Sequence, residues 1–178
     1  MTFLRVENIL QLLGSYNPVT VLSEANRKFP LSAEGDYFTL WVGLLHLPTG
    51  CLSYASAGHP GALFSPAQSP ARWLTCDASP LGFDPSAQFQ QHDVTLKPAD
   101  RLLLLSDGIY EVHDQQGEIW GRERFQRLVD AGRQASLSAT IASCFTEARR
   151  WQGGHHFPDA AAVVGLELTG SPEEALNG

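Results

Sequence analysis

Residues 101–112 read RLLLLSDGIYEV: four leucines run into Ser106-Asp107-Gly108, and the chain returns at once to apolar residues. A short, nearly continuous apolar run of this kind predicts a strand buried on both faces. A carboxylate at the end of such a strand is unfavourable by several kcal/mol unless a cation or hydrogen-bond donors answer it. Three roles answer it here: a turn residue, because Asp-Gly between apolar runs favours a tight hairpin; a salt-bridge partner; or a metal ligand. A second aspartate, Asp159, stands in the mirror position, directly before the apolar run AAAVVGLEL. A polar residue before a strand needs no functional explanation. Two strand-terminal aspartates nonetheless form an oxygen donor pair of the kind that suits magnesium or manganese.

The rest of the chain shows what such strands would be built into. FLRVENILQLLG carries apolar residues at helical spacing and predicts a helix over Phe3–Leu13 with Gly14 as its cap; after Asn17-Pro18, the stripe Val21, Leu22, Ala25 and Phe29 predicts a second over Pro18–Phe29. From Tyr37 the texture becomes β-branched and aromatic. YFTLWVGLLHL, the turn Pro48-Thr49-Gly50 and CLSYASAG predict a hairpin, and further strands are expected at Ala62–Phe64, Arg72–Thr75, Gln91–Leu96 and Arg101–Leu105. Helical periodicity returns in GRERFQRLVDAG and in LSATIASCFTEARRW, the latter with Ser136 or Ser138 as N-cap, before the last strand and a polar tail, 169–178. Helices, then strands, then helices and a final strand predict an α+β fold whose mostly antiparallel sheets need helical cover.

Length and charge narrow the function. A chain of 178 residues suffices for one domain with a real core, and 43% hydrophobic against 17% charged residues is a globular balance. The net charge of −7 disfavours a nucleic-acid partner, which requires a basic surface. The three cysteines, Cys51, Cys76 and Cys144, are odd in number and lack close pairing, which fits a reducing cytoplasm and no disulfide or zinc framework. There is no run of about 18 apolar residues and no signal-peptide layout, so no membrane association is expected.

Two other motifs invite chemistry. YASAGHP, residues 54–60, approaches the serine-elbow pattern G-x-S-x-G, but Tyr54 stands where the first glycine belongs. Gly58 and Pro60 more simply mark a turn, with His59 free to bond backbone or line a cleft. His155 and His156, with Asp159 three residues on, could bind a metal; joined with His59 they define a zinc-hydrolase reading, against the ordinary one of solvated histidines in a glycine-flanked loop.

Taken in order, these pieces resemble one family. YFTLWVGLLHLPTGCLSYASAGHPGALF, SPLGF at Ser79–Phe83, LKPADRLLLLSDGIYEVHDQQGEIWG at Leu96–Gly121 and the Asp159-led last strand are similar to the SpoIIE-like branch of the metal-dependent, PPM-type (protein phosphatase 2C-like) serine/threonine protein phosphatases. The resemblance covers residues 1–168 as a phosphatase domain. It implies a layered sandwich of two antiparallel sheets flanked by helices, holding two manganese or magnesium ions. A metal-activated hydroxide would attack the phosphorus of a phosphoserine or phosphothreonine without a covalent intermediate. Asp107 and Asp159 fall on the family's metal-ligand aspartates, with Gly108, Gly58 and His59 in support and no catalytic side chain beyond the metal-bound water. It further implies a cytoplasmic signalling role, with a phosphoprotein substrate such as an anti-sigma-factor antagonist. A receiver (two-component response regulator) or sensor domain in the parent chain and a homodimer are compatible with it, and the two leading helices would carry regulation.

The sequence also departs from that pattern. Ala160 and Ala162 stand where the family shows a second aspartate and a threonine, and the family's first two strands, with their bridging aspartates, have no counterpart; Gly35-Asp36 lies just before the hairpin, in the wrong place. The chain therefore reads as the C-terminal three-quarters of the domain, expected to bind manganese weakly and to self-associate through open sheet edges. The alternative is a degenerate phosphatase-like module that binds a partner without catalysis.

Overall fold

The computed structural model describes residues 17–170 apart from 34, 36 and 155; the expected helix Phe3–Leu13, Asp36, His155 and residues 171–178 lie outside the described residues. Two compact units emerge, the first from residues 17–59 and 75–95, the second from 60–74 and 96–170. Among the described residues no helix is long and apolar enough to cross a membrane.

In the first unit, helix α1 (Pro18–Lys28) begins where Asn17 Oδ1 accepts the N–H groups of Val19 (2.9 Å) and Thr20 (3.1 Å), with proline in the first turn and Arg27 and Lys28 in the last. It ends one residue before the expected Phe29, which leaves the helical region at φ −121°, ψ 72° and donates its N–H back to the Ala25 carbonyl. Strands β1 (Leu40–His46) and β2 (Cys51–Ala57) form the expected hairpin, from Leu40↔Ala57 to His46↔Cys51, closed by Gly50 at φ +68°. Strand β5 (His92–Thr95), shorter than the run expected to reach Leu96, pairs with β2 to complete a three-stranded antiparallel sheet. Leu22 and Ala25 of α1 pack with Ala55, Ala57, Leu81 and Phe89. On β1, Trp41 lies over Gly43, where a Cβ would stand 2.5 Å from the indole, and stacks on Tyr54 at 5.7 Å.

The SPLGF motif turns out to be the brace of this unit. Asn26, 5% exposed, donates from Nδ2 to the Asp84 carbonyl (2.8 Å) and accepts the Gly82 N–H at Oδ1 (2.7 Å). Gly82 sits at φ +83° against the Phe29–Leu31 backbone, leaving no room for a side chain. One amide thus satisfies two backbone groups of the loop, the Gly82 N–H among them buried, and ties the loop to α1.

In the second unit, β3 (Ala62–Ser65), β4 (Arg72–Leu74), β6 (Arg101–Leu105) and β7 (Val163–Glu167) make an antiparallel sheet in the order β4-β3-β6-β7. Helices α2 (Gly121–Ala131) and α3 (Leu137–Trp151) bury Phe125, Val129, Cys144 and Ala148 with Leu63, Leu103 and Leu105 of the sheet. Ser136 is the N-cap of α3, its Oγ accepting the Ala139 N–H. Gly165 admits α3 closely: a Cβ there would meet Ile141 at 2.8 Å and Leu137 at 2.9 Å. The last strand starts three residues later than the AAAVV run suggests, because Ala160–Ala162 form the approach loop.

The proline-and-aspartate turn before β6 is structural. Asp100, 5% exposed, accepts the N–H groups of Lys97 and Ala67, both at 2.8 Å. Arg101 beside it, 7% exposed, bonds Glu167 Oε2 and the Ala135 carbonyl, each at 2.6 Å, locking the base of β6 to β7 and to the α2–α3 connection. The chain is therefore α+β, with two wholly antiparallel sheets flanked by helices.

Asn26→Ala should destabilise the chain by about 1–3 kcal/mol, because it orphans the Gly82 N–H and the Asp84 carbonyl. Urea unfolding followed by circular dichroism checks this; an unchanged midpoint would mean that the loop holds without its brace.

Candidate metal-binding site

β6 delivers Asp107 by its pairing. The β6–β7 register runs from Arg101↔Glu167 to Leu105↔Val163, so the residues after β6 emerge beside those that precede β7. Asp107 opens a single 3₁₀ turn, Asp107–Ile109, whose carbonyl accepts the N–H groups of Tyr110 and Glu111, both at 2.9 Å. The tight hairpin suggested by Asp-Gly does not form, since β6 takes β3 and β7 as neighbours, and Ile109 and Val112 go to 0% exposure in the core. Nor is the carboxylate buried or salt-bridged: Asp107 is exposed, without a hydrogen bond or ion pair for its side chain among the described residues. The desolvation penalty that its sequence position suggested is avoided by placing it just past the strand's end.

Asp159 lies in the facing segment, also exposed, with Oδ1 accepting the N–H of Ala160 at 2.6 Å. The two segments meet closely. Ser106 N–H donates to the Ala162 carbonyl (3.0 Å), Ser106 Oγ donates to the Ala160 carbonyl (2.7 Å) and the Ala162 N–H donates to Ser106 Oγ (2.9 Å). Gly108 is packed so tightly that a Cβ would fall 2.7 Å from the Ala160 oxygen. Gly108 is thus needed for the approach itself, which sequence reasoning left at the level of support, and Ser106 was missed because its partners lie 54 and 56 residues away.

Tyr110, 5% exposed, fills the base of this turn, edge-on to Trp73 at 6.1 Å. The Arg122 guanidinium stacks over Trp73 at 3.8 Å and donates to the Pro60 carbonyl at 3.0 Å. Burial pushes the Tyr110 phenol up to about 12; Arg122 opposes this, and the Asp107 and Glu111 carboxylates add to it. Tyr110 therefore stays protonated and neutral at physiological pH.

Gly58 and His59 lie in the first unit. Gly58, at φ +66°, donates its N–H to the Ala78 carbonyl (2.9 Å), and a Cβ there would meet Pro80 at 2.7 Å. This is a close approach of the AGHP and SPLGF motifs that only glycine allows. The His59 carbonyl accepts from Ser56 Oγ (3.2 Å), and Ser56 is 1% exposed, which removes the serine-elbow reading: the hydroxyl is sequestered and engaged. The histidine-zinc reading gains nothing, because His156 is exposed and no group of three or more His, Cys, Asp or Glu placed for a metal occurs among the described residues.

In donor chemistry the Asp107–Asp159 pair fits a hard cation. Both carboxylates are exposed, and neither is paired with a lysine or arginine among the described residues. Magnesium in particular is commonly held through one or two carboxylates, with water and substrate phosphate completing its shell.

Residues 4–168 match the family described as Stage II sporulation protein E (SpoIIE), and the chain belongs to that family. It is 24% identical over 150 residues to the phosphoserine phosphatase RsbU of Bacillus subtilis, covering 83% of this chain and 44% of that protein. Its fold matches the SiaA-PP2C domain of Pseudomonas aeruginosa (TM-score 0.76, 18% identity, 91% of this chain and 65% of that one). It also matches the manganese-presoaked phosphatase domain of SpoIIE from Bacillus subtilis (TM-score 0.65, 15% identity, 95% and 75%). The chain thus spans less than half the length of the curated relative.

Below about pH 10 the folded and unfolded chains both keep the Tyr110 proton; between 10 and about 12 only the folded chain keeps it, so stability falls as pH rises through that window. Tyr110→Phe should flatten this part of the melting-temperature profile. An unchanged slope would mean that other groups, Cys144 among them, carry it.

Proposed function

We propose that this chain is the metal-dependent phosphatase domain, residues 1–168, of a cytoplasmic bacterial signalling protein. It would release phosphate from phosphoserine or phosphothreonine of a partner protein such as an anti-sigma-factor antagonist. The observation that carries the reading is the junction of β6 and β7, where Asp107 follows one strand, Asp159 stands in the segment that leads into the other, and both are exposed. Membership of the SpoIIE family and the similarity to a phosphoserine phosphatase support the chemistry, and an open site suits a protein-borne phosphoester better than an enclosed metabolite.

Asp107 and Asp159 would hold the divalent ions, manganese or magnesium, two in the complete domain. When bound, these supply Lewis acidity, a water acidified toward neutrality and counter-charge for the phosphoryl oxygens. Asp107 offers its carboxylate from a turn whose backbone is tied by Tyr110 and Glu111, so its approach angle is set by the fold. Asp159 can contribute its second oxygen while Oδ1 stays on Ala160 N–H. Tyr110, kept neutral, supports the turn without competing for the cation.

The second reading, a module that binds a phosphoprotein without hydrolysing it, is favoured by Ala160 and Ala162 and by a donor set that numbers two carboxylates. Phosphate release from a phosphoserine peptide with and without manganese separates them, run beside a manganese titration by calorimetry. Turnover that requires manganese supports the phosphatase; peptide binding with no metal-dependent release establishes the module. In the catalytic case Asp107→Asn should depress turnover by more than the roughly 10–100-fold that changes to outer-shell residues cost, with unfolding unchanged. An Asp107→Asn variant that keeps most of its turnover at saturating manganese would eliminate the ligand role.

A further inference from the structure

Regular pairing of β6 with β7 stops at Leu105↔Val163; beyond it the Ser106 N–H still donates to the Ala162 carbonyl (3.0 Å), while the reciprocal Ala162 N–H goes to the Ser106 hydroxyl in place of a carbonyl. Ser106 Oγ donates to the Ala160 carbonyl (2.7 Å) and accepts the Ala162 N–H (2.9 Å), so a single atom engages the main chain on both sides of Ala161. Ala160 follows Asp159 directly, and Ser106 directly precedes Asp107. The hydroxyl therefore joins the immediate neighbours of the two aspartates. Gly108 completes the seat from the other side of Asp107, against the Ala160 carbonyl.

We propose that Ser106 is a positioning residue for cation binding: its bridge holds the Asp159 segment against the Asp107 turn so that both carboxylates address one divalent ion. The inference rests on the reading of Asp107 and Asp159 as ligands. Alanine can neither donate nor accept at this point, whereas threonine can do both, and the extended backbone of Ser106 (φ −79°, ψ 156°) accommodates a β-branched residue. A hydroxyl that merely ended the sheet would affect unfolding and leave cation affinity alone.

The test is the affinity of the 178-residue chain for manganese alone, read from the paramagnetic resonance signal of free Mn²⁺. It compares the parent with Ser106→Ala, Ser106→Thr and Asp107→Asn, with metal-free melting temperatures alongside. Asp107→Asn should lose binding, Ser106→Ala should bind roughly 10-fold more weakly, as expected for a group that orients a ligand, and Ser106→Thr should return to parental affinity. Should Ser106→Ala not fold, Ser106→Cys, a weak donor and acceptor of similar size, is read in its place. Parental affinity in Ser106→Ala with binding lost in Asp107→Asn overturns the positioning role and spares the ligand reading. A folded Ser106→Thr that binds as poorly as Ser106→Ala overturns it too. Undiminished binding in Asp107→Asn, or none in the parent, overturns the ligand reading and this inference together.

Discussion

The antiparallel pairing of β6 with β7 is the constraint on which the candidate site depends. Antiparallel neighbours bring the end of one strand beside the beginning of the other. The segments that carry Asp107 and Asp159, 52 positions apart by their numbers, are thereby brought together beyond the paired ends of β6 and β7. The pairing is anchored at its far end by Arg101, which bonds Glu167 across the strands and the Ala135 carbonyl at the helix connection. Breaking a partly buried pair of this kind leaves an uncompensated charge, so register at the base of the strands is strongly specified. A one-residue slip would turn every β7 side chain to the other face and carry Gly165 away from Leu137 and Ile141.

Around this constraint the motifs divide into braces and chemistry. The Asp100 carboxylate holds the backbone N–H groups of Lys97 and Ala67, and Asn26 satisfies the loop of the SPLGF motif. Gly58 and Gly82 allow main-chain approaches that a Cβ would block. These residues belong to segments that look functional by resemblance, yet their contacts are those of structural fasteners. Asp107 and Asp159 differ from them: each is exposed, and among the described residues neither carboxylate is spent on an ion pair.

Asp107 also shows how position in a sequence can mislead about environment. Its apolar neighbours suggest a buried carboxylate, but the strand ends at Leu105, and a 3₁₀ turn carries Asp107 outward while returning Ile109 to the core. Burial falls instead on Tyr110, whose phenol is pushed up to about 12.

The sequence by itself determined the elements, because periodicity and turn chemistry are local: β3 and β6, the β1–β2 hairpin, the Asn17 and Ser136 caps and the α+β class are all legible in it. Family resemblance pointed to Asp107 and Asp159. Only the tertiary structure decided what stands next to them. Ser106 meets Ala160 and Ala162, Asn26 meets Gly82 and Asp84, and Asp100 meets Ala67 across separations of 33 to 58 residues, and such pairings leave no periodic trace. A hydroxyl in a Ser-Asp-Gly motif reads the same whether it faces water or bridges two carboxylate-bearing segments. The difference lies in strand register, which is set by cooperative packing of the whole sheet and not by any residue within it.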